Sequence, residues 1–307
     1  MHRIRAGIIR GGPSSEYDVS LKTGANILKH LPPDKFSVRD IFIDKNGVWY
    51  MHGIPSTPHE VLNHLDVVIN GLHGHYGEDG KIQQIFEQHG IPFTGSGSFA
   101  SAIGMNKKLA KDVYKKEGIK TPEARLIESL SDISKEAHKI FQTFSPPMVV
   151  KPNRGGSSHG MTIAKDFTAF DEAVRKAYEH SGSVLVEEFI NGKEANCAVV
   201  DNYRGQDFYT PPPIEVRGNE HFSPGVFTEK EKAEISDMAI KAHKALGLKH
   251  YSSSDFIIHP KRGIFILETD AQPALTEDSL LPKALRSVGA SLSHFLEHIV
   301  DLALNKK

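Results

Sequence analysis

The chain predicts an α/β fold in three subdomains, the first built on a parallel sheet. Three observations carry this reading. Strands and amphipathic helices alternate from the N-terminus, a Gly/Ser-rich loop follows a strand that ends at Lys151, and a later hairpin carries Asp255 on one strand with Glu268 and Asp270 on the next.

Residues 5–10 read as a strand and Gly11-Gly12-Pro13-Ser14-Ser15 as a turn. Val19, Leu21, Ala25, Ile27 and Leu28 mark the apolar face of a helix. Strands near residues 38–43 and 67–69 precede a helix over residues 80–88. This βαβ rhythm implies parallel strands with crossover helices and a first domain over residues 1–100. Ile91-Pro92-Phe93-Thr94-Gly95-Ser96-Gly97 is a strand-to-turn passage that closes it. A helix from about residue 105 to 117 opens a central domain, residues 101–183, which alternates again and ends at Ser181-Gly182-Ser183. The third domain, residues 184–307, begins with the apolar run Val184-Leu185-Val186. It continues through Pro211-Pro212-Pro213, a long helix over about residues 229–246, the carboxylate hairpin and a last helix over residues 291–304.

Composition narrows the function classes. Hydrophobic content of 39% with 24% charged residues is that of an ordinary soluble globular protein. A net charge of −1 over 307 residues argues against a nucleic acid or an acidic membrane as partner. The 17 histidines form no pair with metal-ligand spacing. The single cysteine, Cys197, lies in an apolar run, which reads as a buried structural thiol in a reducing compartment. The N-terminus reads as the start of a strand and no apolar run reaches spanning length, so the cytoplasm is the expected location.

The chemistry concentrates in two places. In Val149-Val150-Lys151-Pro152-Asn153-Arg154-Gly155-Gly156-Ser157-Ser158-His159-Gly160-Met161, free N–H groups of a tight loop form a concavity for phosphate, with a lysine charge beside it. A Gly/Ser surface turn would look the same in isolation. The hairpin changes the balance. Residues 251–258 and 263–270 read as strands, and period two puts Glu268 and Asp270 on one face, with Asp255 close by if the pairing is regular. Crowded carboxylates call for a cation, and an oxygen-only ligand set suits Mg²⁺ completed by substrate phosphates. An acidic solvated face is the competing reading, but Phe265, Ile266 and Leu267 argue for a buried hairpin. Together these features point to Mg-ATP.

Five motifs then resemble those of the D-alanine–D-alanine ligase family of the ATP-grasp superfamily, from Gly7 to the C-terminal helix. Arg10-Gly11-Gly12-Pro13-Ser14-Ser15-Glu16-Tyr17-Asp18-Val19-Ser20 is similar to the family's first motif, and Leu72-His73-Gly74-His75-Tyr76-Gly77-Glu78-Asp79-Gly80 to its second. Met105-Asn106-Lys107, the Lys151 loop and the stretch from Glu268 to Leu280 complete the set. The resemblance implies an ATP-grasp architecture and ligation of two D-alanines through an acylphosphate, for peptidoglycan precursors. It implies that Lys107 and Lys151 hold ATP phosphates under a lid that includes Ser157 and Ser158. Glu187 would read the adenine amino group, Glu188, Phe189 and Ile190 would frame the base, and Glu194 would take the ribose hydroxyls. Asp255, Glu268 and Asp270 would bind two Mg²⁺, or Mn²⁺ in their place. Glu16 would grip the first D-alanine's ammonium with Ser157 in its network, while His73, Ser279 and Leu280 would lie near substrate carboxylates. The resemblance also implies a homodimer.

The chain departs from the family pattern at Ser253, where an arginine is usual, and at Asp270, Ala274 and His221-Phe222. These departures keep two further readings open: a ligase with another acceptor, such as D-lactate or another D-amino acid, and a nucleotide-binding homologue without catalysis.

Overall fold

The computed structural model describes residues 3–156 and 160–305, the side chains of Asp132, Ser134 and Lys135 excepted. The N-terminal part runs β1 (Ile4–Gly11), α1 (Tyr17–His30), β2 (Phe36–Ile43), β3 (Trp49–Met51), β4 (Ile54–Ser56), α2 (Pro58–Leu62), β5 (Val67–Asn70), α3 (Lys81–Gln88) and α4 (Ser98–Met105). β1 pairs in parallel with both β2 and β5, as the βαβ rhythm predicts. The sheet order is β4-β3-β2-β1-β5. Its antiparallel edge, β3 with β4, went unread in the sequence, because three-residue strands are too short to display a period. Gly11 ends β1 at φ 92°, where a Cβ would stand 2.2 Å from the Ile43 carbonyl oxygen, so only glycine makes this turn.

The central part runs α5 (Lys107–Lys116), β6 (Ala124–Ile127), a 3₁₀ turn (Leu130–Asp132), α6 (Ile133–Thr143), β7 (Met148–Pro152), β8 (Thr162–Ala164), α7 (Phe167–Ser181) and β9 (Val184–Glu188). The helix expected from residue 105 begins two residues later. Met105 closes α4, and Asn106 (φ −94°, ψ 99°) breaks the path while its side chain accepts the Leu109 N–H as an N-cap. The strands form an antiparallel sheet in the order β6-β9-β7-β8. Its core joins Ile140 of α6 and Phe170 and Val174 of α7 to Val150 and Val186 of the sheet.

The remainder runs β10 (Lys193–Tyr203), β11 (Gln206–Tyr209), β12 (Ile214–Arg217), β13 (Glu220–Phe222), α8 (Glu229–Ala245), β14 (Tyr251–His259), β15 (Gly263–Asp270), α9 (Leu280–Ser287) and α10 (Leu292–Leu304). These strands form an antiparallel sheet in the order β13-β12-β10-β14-β15, with β11 on β10. α8 starts where the sequence places it, fixed by a capping box of Thr228 and Glu231. Its Ile235 and Ala239 bury against Phe256 and Ile266. α10 folds back so that Phe295 and Ile299 share one core with Ile8, Ile27 and Ile69 of the N-terminal part and with Tyr251 of β14. That shared core fixes the N-terminal sheet against the β14–β15 hairpin.

Candidate active site

Two cavities meet between the sheets. One, of about 380 Å³, is lined by Lys107, Lys151, Gly155, Gly156, Glu187, Glu188, Phe189, Ile190, Glu194, Asp255, Glu268 and Leu280, with Met161, Ile163, Ile257 and Leu267 as apolar wall. The expected nucleotide residues thus converge from α5, β7, β9, β10, β14 and β15, except Ser158. Ser157 and Ser158 lie outside the described residues. The other cavity, of about 470 Å³, is lined by Glu16, His73, Glu78, Asn196, His221, Ser253, Asp270, Ala274, Ser279 and Leu280. Lys107, Gly155, Gly156, Asp255, Glu268 and Leu280 belong to both walls.

Charge is dense in the nucleotide-side cavity. Lys107 Nζ lies 2.8 Å from Glu268 Oε2 and donates to the Gly155 carbonyl at 2.8 Å. Lys151 Nζ lies 3.0 Å from Glu187 Oε2, and Lys111 Nζ lies 2.9 Å from Glu187 Oε1. Burial disfavours the Glu187 carboxylate, yet the two ammoniums outweigh burial and hold it below its usual range. Lys151 is likewise raised against the pull of burial by Glu187 and Glu268. Burial draws Lys111 down to about 8, with Lys151 adding to the effect and Glu187 opposing it.

The hairpin puts Asp255 directly opposite Glu268, and Asp270 opposite Ser253. Pairing is not regular throughout: the register shifts just past Asp255, where Phe256 pairs with Ile266, so Leu267 is the extra residue of a bulge. Leu267 and Glu268 consequently both reach the nucleotide-side cavity. Burial and the facing Glu268 push Asp255 up to about 6. Burial works against Glu268 as well, but Lys107 and Lys151 bring it down to about 2. Asn196 Nδ2 donates to Asp255 Oδ1 at 2.8 Å, and Ser253 Oγ donates to Asn196 Oδ1 at 2.8 Å. Among the described residues, no group of three or more His, Cys, Asp or Glu gathers closely enough to hold a metal ion. Asp255 and Glu268 still fit Mg²⁺. They are two facing oxygen donors with one carboxylate left proton-hungry by crowding, and Mg²⁺ is usually bound by one or two carboxylates plus phosphates.

The second cavity is acidic and centred on His73. Its ring lies between Thr23 Oγ1 (2.8 Å from Nε2) and Glu78 Oε1 (2.9 Å from Nδ1). Burial lowers His73, against Asp270 and Glu16, and burial together with Glu16 raises Glu78 well above the carboxylate range. Both shifts favour the uncharged forms of the pair. Asp270 is open to the cavity but lies deep among protein atoms; burial first, and Glu78 next, raise it well above its usual range. Ser279 holds the N-cap position of α9 beside Leu280 without a side-chain cap bond, its hydroxyl lying 2.6 Å from Thr276 Oγ1 instead.

Sequence reading missed Lys111, Glu78, Thr23 and Asn196. The Lys107–Lys111 spacing of one helical turn was a legible signal; the others become visible only when the sheets pack. Ser252, His243 and Asp201 form another cluster, with His243 Nδ1 2.8 Å from Ser252 Oγ and Nε2 3.0 Å from Asp201 Oδ1. Ser252 and His243 are sealed in the core, so this trio is structural. Cys197 is buried too, and burial pushes its thiol up to about 12, which makes it inert.

Comparison with known proteins gives the family and the fold. The family model described as D-ala D-ala ligase C-terminus matches residues 113–223 and 214–301, and the N-terminus model matches residues 5–60 and 53–96. A D-alanine–D-alanine ligase of Acetivibrio thermocellus is 33% identical, covering 98% of this chain and 96% of its own. The crystal structure of VanG D-Ala:D-Ser ligase from Enterococcus faecalis aligns with a TM-score of 0.88 at 26% identity, over 98% of this chain and 100% of that one. The D-alanine–D-alanine ligase from Bacillus anthracis complexed with ATP aligns with a TM-score of 0.83 at 27% identity, over 98% and 97% of the two chains.

Proposed function

Because the chain belongs to the D-alanine–D-alanine ligase family and is an ATP-dependent ligase of two D-alanines, we propose how its own residues divide that work. The observation that carries the reading is the shared wall. Lys107, Gly155, Gly156, Asp255 and Glu268 face both cavities, so a nucleotide's phosphate end and an amino-acid carboxylate would meet there.

On the nucleotide side, Phe189 and Ile190 cover the base, Glu187 accepts its amino group and Glu194 takes the ribose hydroxyls. Lys107 and Lys151 neutralise phosphate oxygens, and Gly155 and Gly156 let the loop backbone approach closely. Asp255 and Glu268 would hold Mg²⁺, which would supply charge neutralisation at the transferring phosphoryl group; Asp270, opposite Ser253 and on the second wall only, stands apart from that pair. On the amino-acid side, Glu16 holds the donor's ammonium, while His73 and the Ser279–Leu280 helix start accommodate carboxylates. The donor carboxylate becomes an acylphosphate and the acceptor amine displaces phosphate. Positioning and preorganised charge do this without a covalent enzyme intermediate. The proposal includes a cytoplasmic homodimer, carried by the family likeness.

The test is phosphate release from ATP with D-alanine alone, with D-alanine plus D-serine, and with D-alanine plus D-lactate. Release with D-alanine alone, yielding D-alanyl-D-alanine, supports the reading; release only with a second compound transfers it to another acceptor. His221 on the acceptor-side wall favours including those acceptors. Lys283 Nζ sits 3.3 Å from His221 Nδ1, and burial first and Lys283 next lower its pKa, which favours the neutral ring beside an incoming amine.

A further inference from the structure

Lys111 stands behind the nucleotide-side cavity, not in it. Its side chain is 2% exposed and does not line the wall, whereas Lys151 and Glu187 do. From α5, one turn after Lys107, its ammonium donates to Thr121 Oγ1 at 2.7 Å and meets Glu187 Oε1 at 2.9 Å. Thr121 is itself anchored, donating to the Ile266 carbonyl at 2.8 Å. The other oxygen of Glu187 meets Lys151 at 3.0 Å. One carboxylate is thus shared by two buried ammoniums, one facing the cavity and one sealed behind it.

This arrangement has no evident value for stability. Burying a lysine carries a large desolvation cost, and apolar replacements of buried ion pairs are often neutral or stabilising. Its effect is electrostatic. Were Lys151 the only partner of Glu187, the two charges would cancel and the cavity would present phosphate with a neutral pair. With Lys111 taking the far oxygen, the trio keeps an excess positive charge, and the share left over lies on the cavity side.

We propose that Lys111 is a positioning residue for nucleotide binding: by holding the far oxygen of Glu187 from behind, it fixes that carboxylate and leaves Lys151 less neutralised by it, so that the Lys151 ammonium can meet ATP phosphates. The inference rests on the nucleotide reading of this cavity, and Lys111 acts only through Glu187.

The test compares wild type, Lys111→Met, Lys111→Arg and Thr121→Val by calorimetric titration with ATP, by steady-state kinetics and by thermal unfolding. We expect Lys111→Met to weaken ATP binding about 10-fold or more, with the KM for D-alanine unchanged within about twofold. Lys111→Arg keeps the charge and should bind ATP within about threefold of wild type. Thr121→Val loosens the anchor and should fall between them, which decides the matter if the methionine variant does not fold. A folded Lys111→Met or Thr121→Val protein with wild-type ATP affinity, differing only in melting temperature, would overturn the inference by reducing Lys111 to a structural ion pair. Wild type that binds no ATP would instead remove the nucleotide reading on which it stands.

Discussion

Asp255 and Glu268 face each other across the β14–β15 ladder at the last regular pair before the bulge at Leu267. Two carboxylates in that relation repel, and the structure relieves the strain unequally. Lys107 takes Glu268 at 2.8 Å, while Asp255 has the weaker support of the Asn196 amide. The pair is thus one charge short of balance, which a divalent cation with phosphate oxygens would correct.

Glu268→Gln should leave the fold intact and raise the Mg²⁺ concentration for half-maximal phosphate release by about 10-fold, since a neutral amide is a weaker ligand for a hard cation. A magnesium titration of wild type and variant checks this. Identical half-saturation would place the metal elsewhere.

Gly156 ties the phosphate loop to the amino-acid side. A Cβ built there would stand 2.7 Å from Glu16 Oε1, the nearest side-chain atom among the described residues. The glutamate tip can swing aside, so Gly156→Ala should melt near wild type. The KM for D-alanine should nevertheless rise on the order of 10-fold, with the KM for ATP little changed, because the displaced carboxylate is the proposed ammonium grip. Equal KM values for D-alanine would detach Glu16 from substrate binding.

His250 gives the fold an acid-sensitive joint. Its Nδ1 accepts the Gly95 N–H at 3.0 Å, a role only the neutral ring can fill, and burial lowers its pKa to about 4. The unfolded chain binds the proton from about pH 6.5 downwards. The stability from neutral His250 is therefore full above pH 6.5 and is lost as pH falls from there through about 4, by at most about 3 kcal/mol. Thermal unfolding between pH 7.5 and 4.5 should fall less steeply in His250→Asn. Asparagine tolerates the φ of 67° here and can still accept the Gly95 N–H. Parallel slopes would count against this account.

Tyr114, fully buried on α5, donates to Thr269 Oγ1 at 2.8 Å, and Thr269 also meets Ser254 at 2.8 Å. Tyr114→Phe should cost about 1 kcal/mol in urea unfolding, because the threonine keeps its other partner. A loss of several kcal/mol would mean that the hydroxyl braces the whole hairpin.

The sequence by itself determined the local pattern of this protein. Period-two and helical periodicity located β1, α1, α3, α8, α10 and both hairpin strands, since each is long enough to show its period, and β5 was found as a short apolar run. It also supplied the chemistry-bearing groups, because a lysine at a strand end, a glycine loop and alternating carboxylates are properties of neighbouring residues. Packing decided the rest. The break at Asn106 and the bulge at Leu267 depend on which partner a backbone meets, and short strands such as β3 and β4 exist only through pairing. The ion-pair chain from Thr121 through Lys111 and Glu187 to Lys151 joins four separate segments. The opposed shifts of His73, downwards, and Glu78, upwards, arise from burial and from carboxylates distant in the chain. Both are long-range electrostatics in a dry interior, set by distances and desolvation that exist only once the sheets have closed on one another.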